Sequence, residues 1–353
     1  MMDVQKVFTL AGNVLSCERY GSGHINETFL VVTDAPHRYI LQKMSARAFK
    51  DIPGLMRNMT AVTQHLGRKD SDPRHVLTLV PTRDGDMYHT DAEGGAWRVF
   101  EFVEHSLCLD SVESPEDFRQ SAVAFGQFQN MLADFPAAEL IETIPHFHDT
   151  PARYEAFKAA IAADEAGRLH DVQAEVDFAL AREKDAHALM DMIAAKIIPL
   201  RVTHNDTKLN NVMLDDQTRK ALCVIDLDTV MPGAVANDFG DSIRFGASTG
   251  AEDERDLSKI ECSMALFDVY TAGFLSACGD RLSDAEKTSL PTGAKLMTLE
   301  CGVRFLTDYL QGDVYFATHR PNQNLDRCRT QFKLVADMES KREQMLAILE
   351  KYR

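Results

Sequence analysis

The 353-residue sequence contains no run of about 18 consecutive apolar residues, which argues against a membrane-spanning helix. It also lacks positive charge. Its 38 Lys and Arg stand against 54 Asp and Glu, a formal balance of −16. A general nucleic-acid binder needs a basic surface to displace phosphate counterions, so that class is set aside. No Cys-x-x-Cys pair occurs among Cys17, Cys108, Cys223, Cys262, Cys278, Cys301 and Cys328. Their scatter and odd number read as reduced structural thiols in a cytoplasmic protein. Met1-Met2-Asp3-Val4-Gln5-Lys6 has no long apolar core followed by small residues, so no secretory signal is expected. Repeats and low-complexity tracts are absent too. What is present is a globular composition, 45% hydrophobic and 26% charged, long enough to build two separate cores.

The first hundred or so residues carry strand-type runs at Thr28–Val32, Tyr39–Gln42 and Trp97–Val103. One helix interrupts them. Asp51 and Pro53 give a start signal, after which Leu55, Met59, Val62 and Leu66 recur at helical spacing. Asp84-Gly85 between apolar runs predicts a hairpin. Beyond Val103 the patterning becomes helical: Ala152–Ala166, Ala174–Ile198 and the tail Gln331–Tyr352, whose apolar stripes read as core packing. Ala221–Ile225 is the strand-like exception. The fold class expected is α+β, with two lobes in a protein-kinase-like arrangement. Residues 1–103 would form a smaller strand-rich lobe and residues 104–353 a larger helical one, joined near residues 102–106.

His204-Asn205-Asp206-Thr207-Lys208-Leu209-Asn210-Asn211 carries the chemistry. Phosphoryl transfer from ATP is mostly positioning and charge neutralisation, so it asks for few protein groups. Asp206 is the candidate catalytic residue, orienting an acceptor hydroxyl and taking its proton. Asn211 offers an amide oxygen to Mg²⁺, and Asp226, closing the apolar run Val224-Ile225, offers a carboxylate between metal and phosphates. Each residue alone could be a loop cap; the set points to a kinase. Asp228 is either a second metal contact or a support for the loop. Asp238-Phe239-Gly240 spells the metal triplet of protein kinases but follows Pro232-Gly233 instead of a strand. It reads better as a helix start, with Asn237 or Asp238 as cap.

Gly21-Ser22-Gly23 alone reads as a plain hairpin turn, but its place before a strand makes it a candidate phosphate loop, whose free backbone N–H groups would bind anions. Lys43, at the end of Ile40-Leu41-Gln42, sits where a kinase places its α/β-phosphate contact. Its alternative is a solvated strand end. Protein kinases pair this lysine with a glutamate on the next helix. Here that helix carries Arg57 and Asn58 but no acidic residue before Lys69. Trp97–Val103 could supply a hinge for adenine, or its aromatics could be core.

These motifs resemble the aminoglycoside phosphotransferase and choline kinase superfamily and, within it, the N-acetylhexosamine 1-kinases. The similar stretches include Gly21–Asn26, Tyr39–Met44, Thr203–Lys208, Val224–Gly233 and Arg304–Phe316. The resemblance implies an ATP- and Mg²⁺-dependent enzyme that phosphorylates the anomeric hydroxyl of a small-molecule sugar acceptor. It implies that Arg304 and Tyr315 line the sugar pocket and that His24 reaches it. Without it, Arg304 reads as a surface helix residue and Tyr315 as core. Tyr309 is expected to pack, and Gly312-Asp313 to end its helix. A monomer with no nucleic-acid or membrane partner is expected. Rival readings are a kinase of choline, homoserine or an aminoglycoside, and a silent nucleotide-binding scaffold.

Overall fold

The computed structural model describes residues 4–21 and 25–353. After a single turn, α1 (Val4–Val7), three strands follow: β1 (Val14–Arg19), β2 (Glu27–Thr33) and β3 (Arg38–Lys43). Helix α2 (Ile52–Lys69) comes next, then β4 (Leu79–Val80), β5 (His89–Thr90) and β6 (Ala96–Glu101). These strands make one antiparallel sheet ordered β1-β2-β3-β6-β4, with β5 also on β6. Alternation divides its faces. Phe29, Val31, Tyr39, Leu41, Trp97 and Val99 pack with Val4 and Phe8 on one side. Ile40 and Phe100 turn to the other, against Leu55, Met56, Met59 and Val62 of α2. The expected start of α2 is observed: Asp51 Oδ1 accepts the Gly54 N–H at 2.9 Å. The expected hairpin is not. Asp84-Gly85 forms a turn, but the strands flanking it both pair with β6 instead of with each other.

The remainder is mostly helical. It comprises β7 (Ser106–Cys108), α3 (Pro115–Met131), α4 (Thr150–Ala163), α5 (Gln173–Leu180), α6 (Ala188–Ala194) and β8 (Arg201–Thr203). Then come β9 (Val212–Asp215), β10 (Ala221–Val224), β11 (Met231–Gly233), α7 (Val235–Gly246) and α8 (Met264–Cys278). Helices α9 (Asp284–Leu310), α10 (Gln323–Ser340) and α11 (Arg342–Glu350) complete the chain. The expected single helix over 174–198 is instead broken between α5 and α6, and the tail breaks at Lys341. Tyr309 is buried, and the chain turns at Gly312 with φ of 94°. Helix α9 is the spine: α4, α7 and α10 pack on it. Its contact with α7 depends on bare backbone. A Cβ on Gly240 would lie 2.3 Å from the Gly293 carbonyl oxygen, and one on Gly293 2.0 Å from that of Ala236. Real Cβ atoms do not approach backbone so closely, so both positions require glycine.

Candidate active site

Strands β8 and β11 pair antiparallel, Thr203 opposite Met231, and the chain leaves β8 into the His204–Asn211 segment. Asn205 adopts a left-handed conformation, φ 66°, which an asparagine tolerates better than most residues. Its side-chain amide donates to the Thr229 carbonyl at 2.8 Å. Asp238 fixes the segment from below. Its carboxylate accepts the N–H groups of His204 and Asn205 at 2.9 and 2.8 Å and the Gln129 amide at 2.9 Å. Asp238 therefore lies inside α7, whose N-cap is Ala234, and it caps nothing. The sequence-based expectation of a cap is corrected: the backbone donors it receives belong to a distant loop. One turn on, Asp241 accepts the Thr207 N–H at 3.0 Å.

His204 is fully buried. Its Nε2–H donates to the Ile225 carbonyl at 2.8 Å, while Nδ1 accepts the Asp206 N–H at 3.3 Å. One donor and one acceptor describe a neutral imidazole. The Ile225 N–H donates to the Asn211 carbonyl at 2.9 Å. These bonds draw Asp206, Asn211 and the residue before Asp226 into one knot. Asn211 Nδ2 donates to the Asp206 carbonyl at 2.7 Å and to its Oδ2 at 3.1 Å, leaving the Asn211 amide oxygen to meet a cation. Lys208 Nζ stands 2.8 Å from Asp206 Oδ1. Burial pushes the Asp206 carboxyl up, but Lys208, with Arg244, holds it below the usual carboxylate range. Asp206 is thus ionised and still 28% exposed, open to a molecule in the cleft.

Asp226 takes a left-handed turn, φ 58°, at the end of β10 and keeps an exposed surface. Its carboxyl is pushed up to about 6, first by desolvation and then by the neighbouring carboxylates of Asp228 and Asp206. Such a cluster calls for a cation. An amide oxygen and a carboxylate suit Mg²⁺, which takes one or two protein oxygens and completes its shell with phosphates and water. Among the described residues, no group of three His, Cys, Asp or Glu could hold a metal, so the protein alone would supply only part of a shell.

On the sheet side, Gly21 is described, with φ of 74°, while Ser22, Gly23 and His24 lie outside the described residues. Lys43 is not brought to the Asp206–Asp226 region. It pairs with Trp97 across β3 and β6, and its Nζ lies 5.4 Å from the Trp97 ring centre, on the face opposite α2. Period-two alternation causes this: the neighbouring Gln42 takes the inner face instead. Opposite Gln42 stands Arg98, 1% exposed. Its guanidinium binds Gln42 Oε1 at 3.0 and 2.7 Å and forks onto both oxygens of Asp228, Nη2 to Oδ2 at 3.0 Å. Asn26 Nδ2 also donates to Asp228 Oδ2, at 2.6 Å. Asp228 is therefore occupied in tying β6 to the turn that carries Asp226, and the support role is the one observed. Asn58 of α2 adds a second tie, donating to the carbonyls of Ile141 and Val230 at 2.7 and 3.1 Å. Sequence reasoning missed Arg98, although a charge inside Trp97-Arg98-Val99-Phe100 was a signal that a buried partner existed.

Arg304 and Tyr315, the residues expected to line an acceptor pocket, do come together. The Arg304 guanidinium lies 5.7, 6.0 and 5.5 Å from the ring centres of Phe147, Tyr315 and Phe316. Tyr315 is 66% exposed, contrary to its reading as core. One turn before Arg304 on α9, the buried Glu300 accepts from His148 Nδ1 at 2.9 Å and from Thr150 Oγ at 2.7 Å. His148 Nε2 donates in turn to the Asn205 carbonyl at 3.1 Å. Both ring nitrogens donate, so this histidine is an imidazolium. Burial works against its charge, but Glu300 outweighs burial and raises its pKa. This link joins the Arg304 helix to the residue preceding Asp206, and no sequence motif announced it.

A sequence model described as "Phosphotransferase enzyme family" matches residues 16–262. The chain belongs to that family. Its fold is shared with solved structures of low identity. One is a microcompartment-associated aminopropanol kinase, 17% identical, with TM-score 0.58 over 97% of this chain and 96% of that one. An aminoglycoside phosphotransferase from Alicyclobacillus acidocaldarius is 16% identical, with TM-score 0.60 over 99% and 94%. A choline kinase from Cryptosporidium parvum is 14% identical, with TM-score 0.58 over 99% and 94%. At such identities the likeness speaks for the fold, the aminoglycoside-phosphotransferase-like α+β kinase fold. No helix among the described residues is long and apolar enough to cross a membrane.

Proposed function

We propose that this phosphotransferase is an ATP- and Mg²⁺-dependent sugar kinase that phosphorylates the anomeric C1 hydroxyl of N-acetylhexosamines. The observation that carries the reaction class is the knot holding Asp206, Asn211 and Asp226 together through His204 and Ile225. Residues 1–103 would present the nucleotide through Gly21, Ser22 and Gly23. Residues 104–353 would hold the metal on Asn211 and Asp226 and the acceptor against Arg304 and Tyr315, with His24 reaching in from the glycine loop. Bound Mg²⁺ would neutralise charge on the phosphates. Asp206 orients the acceptor O1–H and takes its proton as the O1–P bond forms and the bond from γ-phosphorus to the departing ADP oxygen breaks. Lys208 and the His204 imidazole hold Asp206 in place for that transfer.

The solved structures of the same fold include enzymes named for amino-alcohol substrates, which makes a cationic acceptor the competing reading. A cation would need a free carboxylate or an aromatic cage. Here Glu300 is occupied by His148 and Thr150, and Arg304 occupies the space among the aromatic rings. The deciding experiment is an ATP-consumption screen with N-acetylglucosamine, N-acetylgalactosamine, glucose, galactose, choline, homoserine and kanamycin. NMR of the product should place phosphorus on O1. Turnover stimulated only by amino alcohols would overturn the sugar reading.

A further inference from the structure

Arg153, on the first turn of α4, shares the Arg304 neighbourhood. Its Nη2 donates to the Phe147 carbonyl at 2.9 Å, while Arg304 lies over the ring of that same Phe147. Two guanidinium groups therefore converge on one residue, and they repel: burial and Arg304 together lower the Arg153 pKa. Neither forms an ion pair among the described residues, because the nearby carboxylates are already engaged. Glu300 accepts from His148 and Thr150; Asp149 caps α4 through the Ala152 N–H at 3.1 Å and holds His146 at 2.9 Å. Arg153 Nε is buried with no hydrogen-bond partner at all. A buried donor left unmade costs stability, and an acceptor oxygen brought to this guanidinium would recover part of that cost.

The surroundings define what that ligand is. Phe147, Tyr315 and Phe316 offer ring faces, and the charges nearby include a protonated His148. We propose that Arg153 is a second acceptor-binding residue, acting with Arg304 as a guanidinium pair that selects oxygen-rich, uncharged or anionic acceptors and excludes cationic amino alcohols. This rests on the reading of Arg304 and Tyr315 as the acceptor site. A planar guanidinium fork suits carbonyl, carboxylate or paired hydroxyl oxygens, including the acyl oxygen of an N-acetyl sugar.

The test measures acceptor KM for wild type, R153M and R153K over neutral rings (N-acetylglucosamine, glucose), anionic ones (glucuronate) and cations (choline, 1-amino-2-propanol, kanamycin). Losing one charged donor should raise the KM of the accepted ring about tenfold or more in R153M. The ATP KM should stay within about twofold, R153K should recover part of the loss, and thermal melts should confirm folding. An unchanged acceptor KM in R153M with N-acetylhexosamine turnover intact overturns the role of Arg153 and leaves the sugar reading standing. Turnover of a different neutral or anionic ring, with the KM raised in R153M, overturns the N-acetylhexosamine reading and supports the guanidinium pair. Turnover of cations alone, or no turnover of any neutral or anionic ring, overturns both.

Discussion

Replacing Asp228 with asparagine keeps the shape of the side chain and removes its charge, which strands the Arg98 guanidinium. Arg98 is 1% and Asp228 3% exposed, so water cannot take over the lost interaction. Breaking a buried ion pair from one side costs about 3–5 kcal/mol. Gln42 continues to accept two bonds from Arg98, which places the expected loss near the lower end, about 3 kcal/mol. That is a large fraction of the 5–15 kcal/mol typical of a folded domain, and urea denaturation at neutral pH without nucleotide will read it. Arg98→Met should cost a similar amount by leaving the carboxylate unpaired. The double variant should recover most of it, with a coupling energy of about 2 kcal/mol or more. Because Asp228 sits two residues past Asp226, each single variant should also lower kcat. A loss below about 1 kcal/mol for either single variant, or a double variant equal to the sum, would refute the bridge as a tie between β6 and the turn that carries Asp226.

Three further outcomes follow from the same fold. Lys43→Ala should leave the ATP KM within about twofold, since Lys43 lies on the outer face over Trp97; a tenfold rise would return it to the nucleotide site. Gly293→Ala should destabilise by about 3 kcal/mol or more and lower activity through α7, because the added carbon would meet the Ala236 backbone; a neutral effect would contradict the close helix contact. His148 has a folded pKa raised above its unfolded value of about 6.5. Its contribution to stability is therefore complete below about pH 6.5 and lost as pH rises through the folded value. The difference in melting temperature between wild type and His148→Gln should shrink across that alkaline range. A difference independent of pH would remove the charged link to Glu300.

Much of the candidate site was legible in the sequence because kinase chemistry concentrates in short, ordered segments. His204, Asp206, Asn211 and Asp226 could be picked out by spacing, and the Asp51–Lys69 helix by its apolar period. What the sequence left open has physical causes. Lys43 and Gln42 are adjacent, and which of them faces inward depends on strand register, a one-residue matter that no local pattern decides. Asp238 looked like a cap because acids favour helix starts. It receives backbone donors 33 and 34 residues away, which only tertiary structure brings to it. Arg98–Asp228 and His148–Glu300 span 130 and 152 residues, so neither pairing was visible in a single chain. Arg304 and Tyr315 came from resemblance, and the structure brings them together.

The central claim is that Asp206 orients the acceptor hydroxyl and takes its proton beside a metal held at Asn211 and Asp226. Steady-state kinetics of Asp206→Asn, alongside nucleotide binding by calorimetry in the presence of Mg²⁺, test it most directly. The kcat with the best acceptor should fall by about 10²–10⁴, the range for loss of a positioned general base, while nucleotide affinity changes by less than about threefold. An Asp206→Asn enzyme that keeps kcat within about tenfold of wild type would contradict the account.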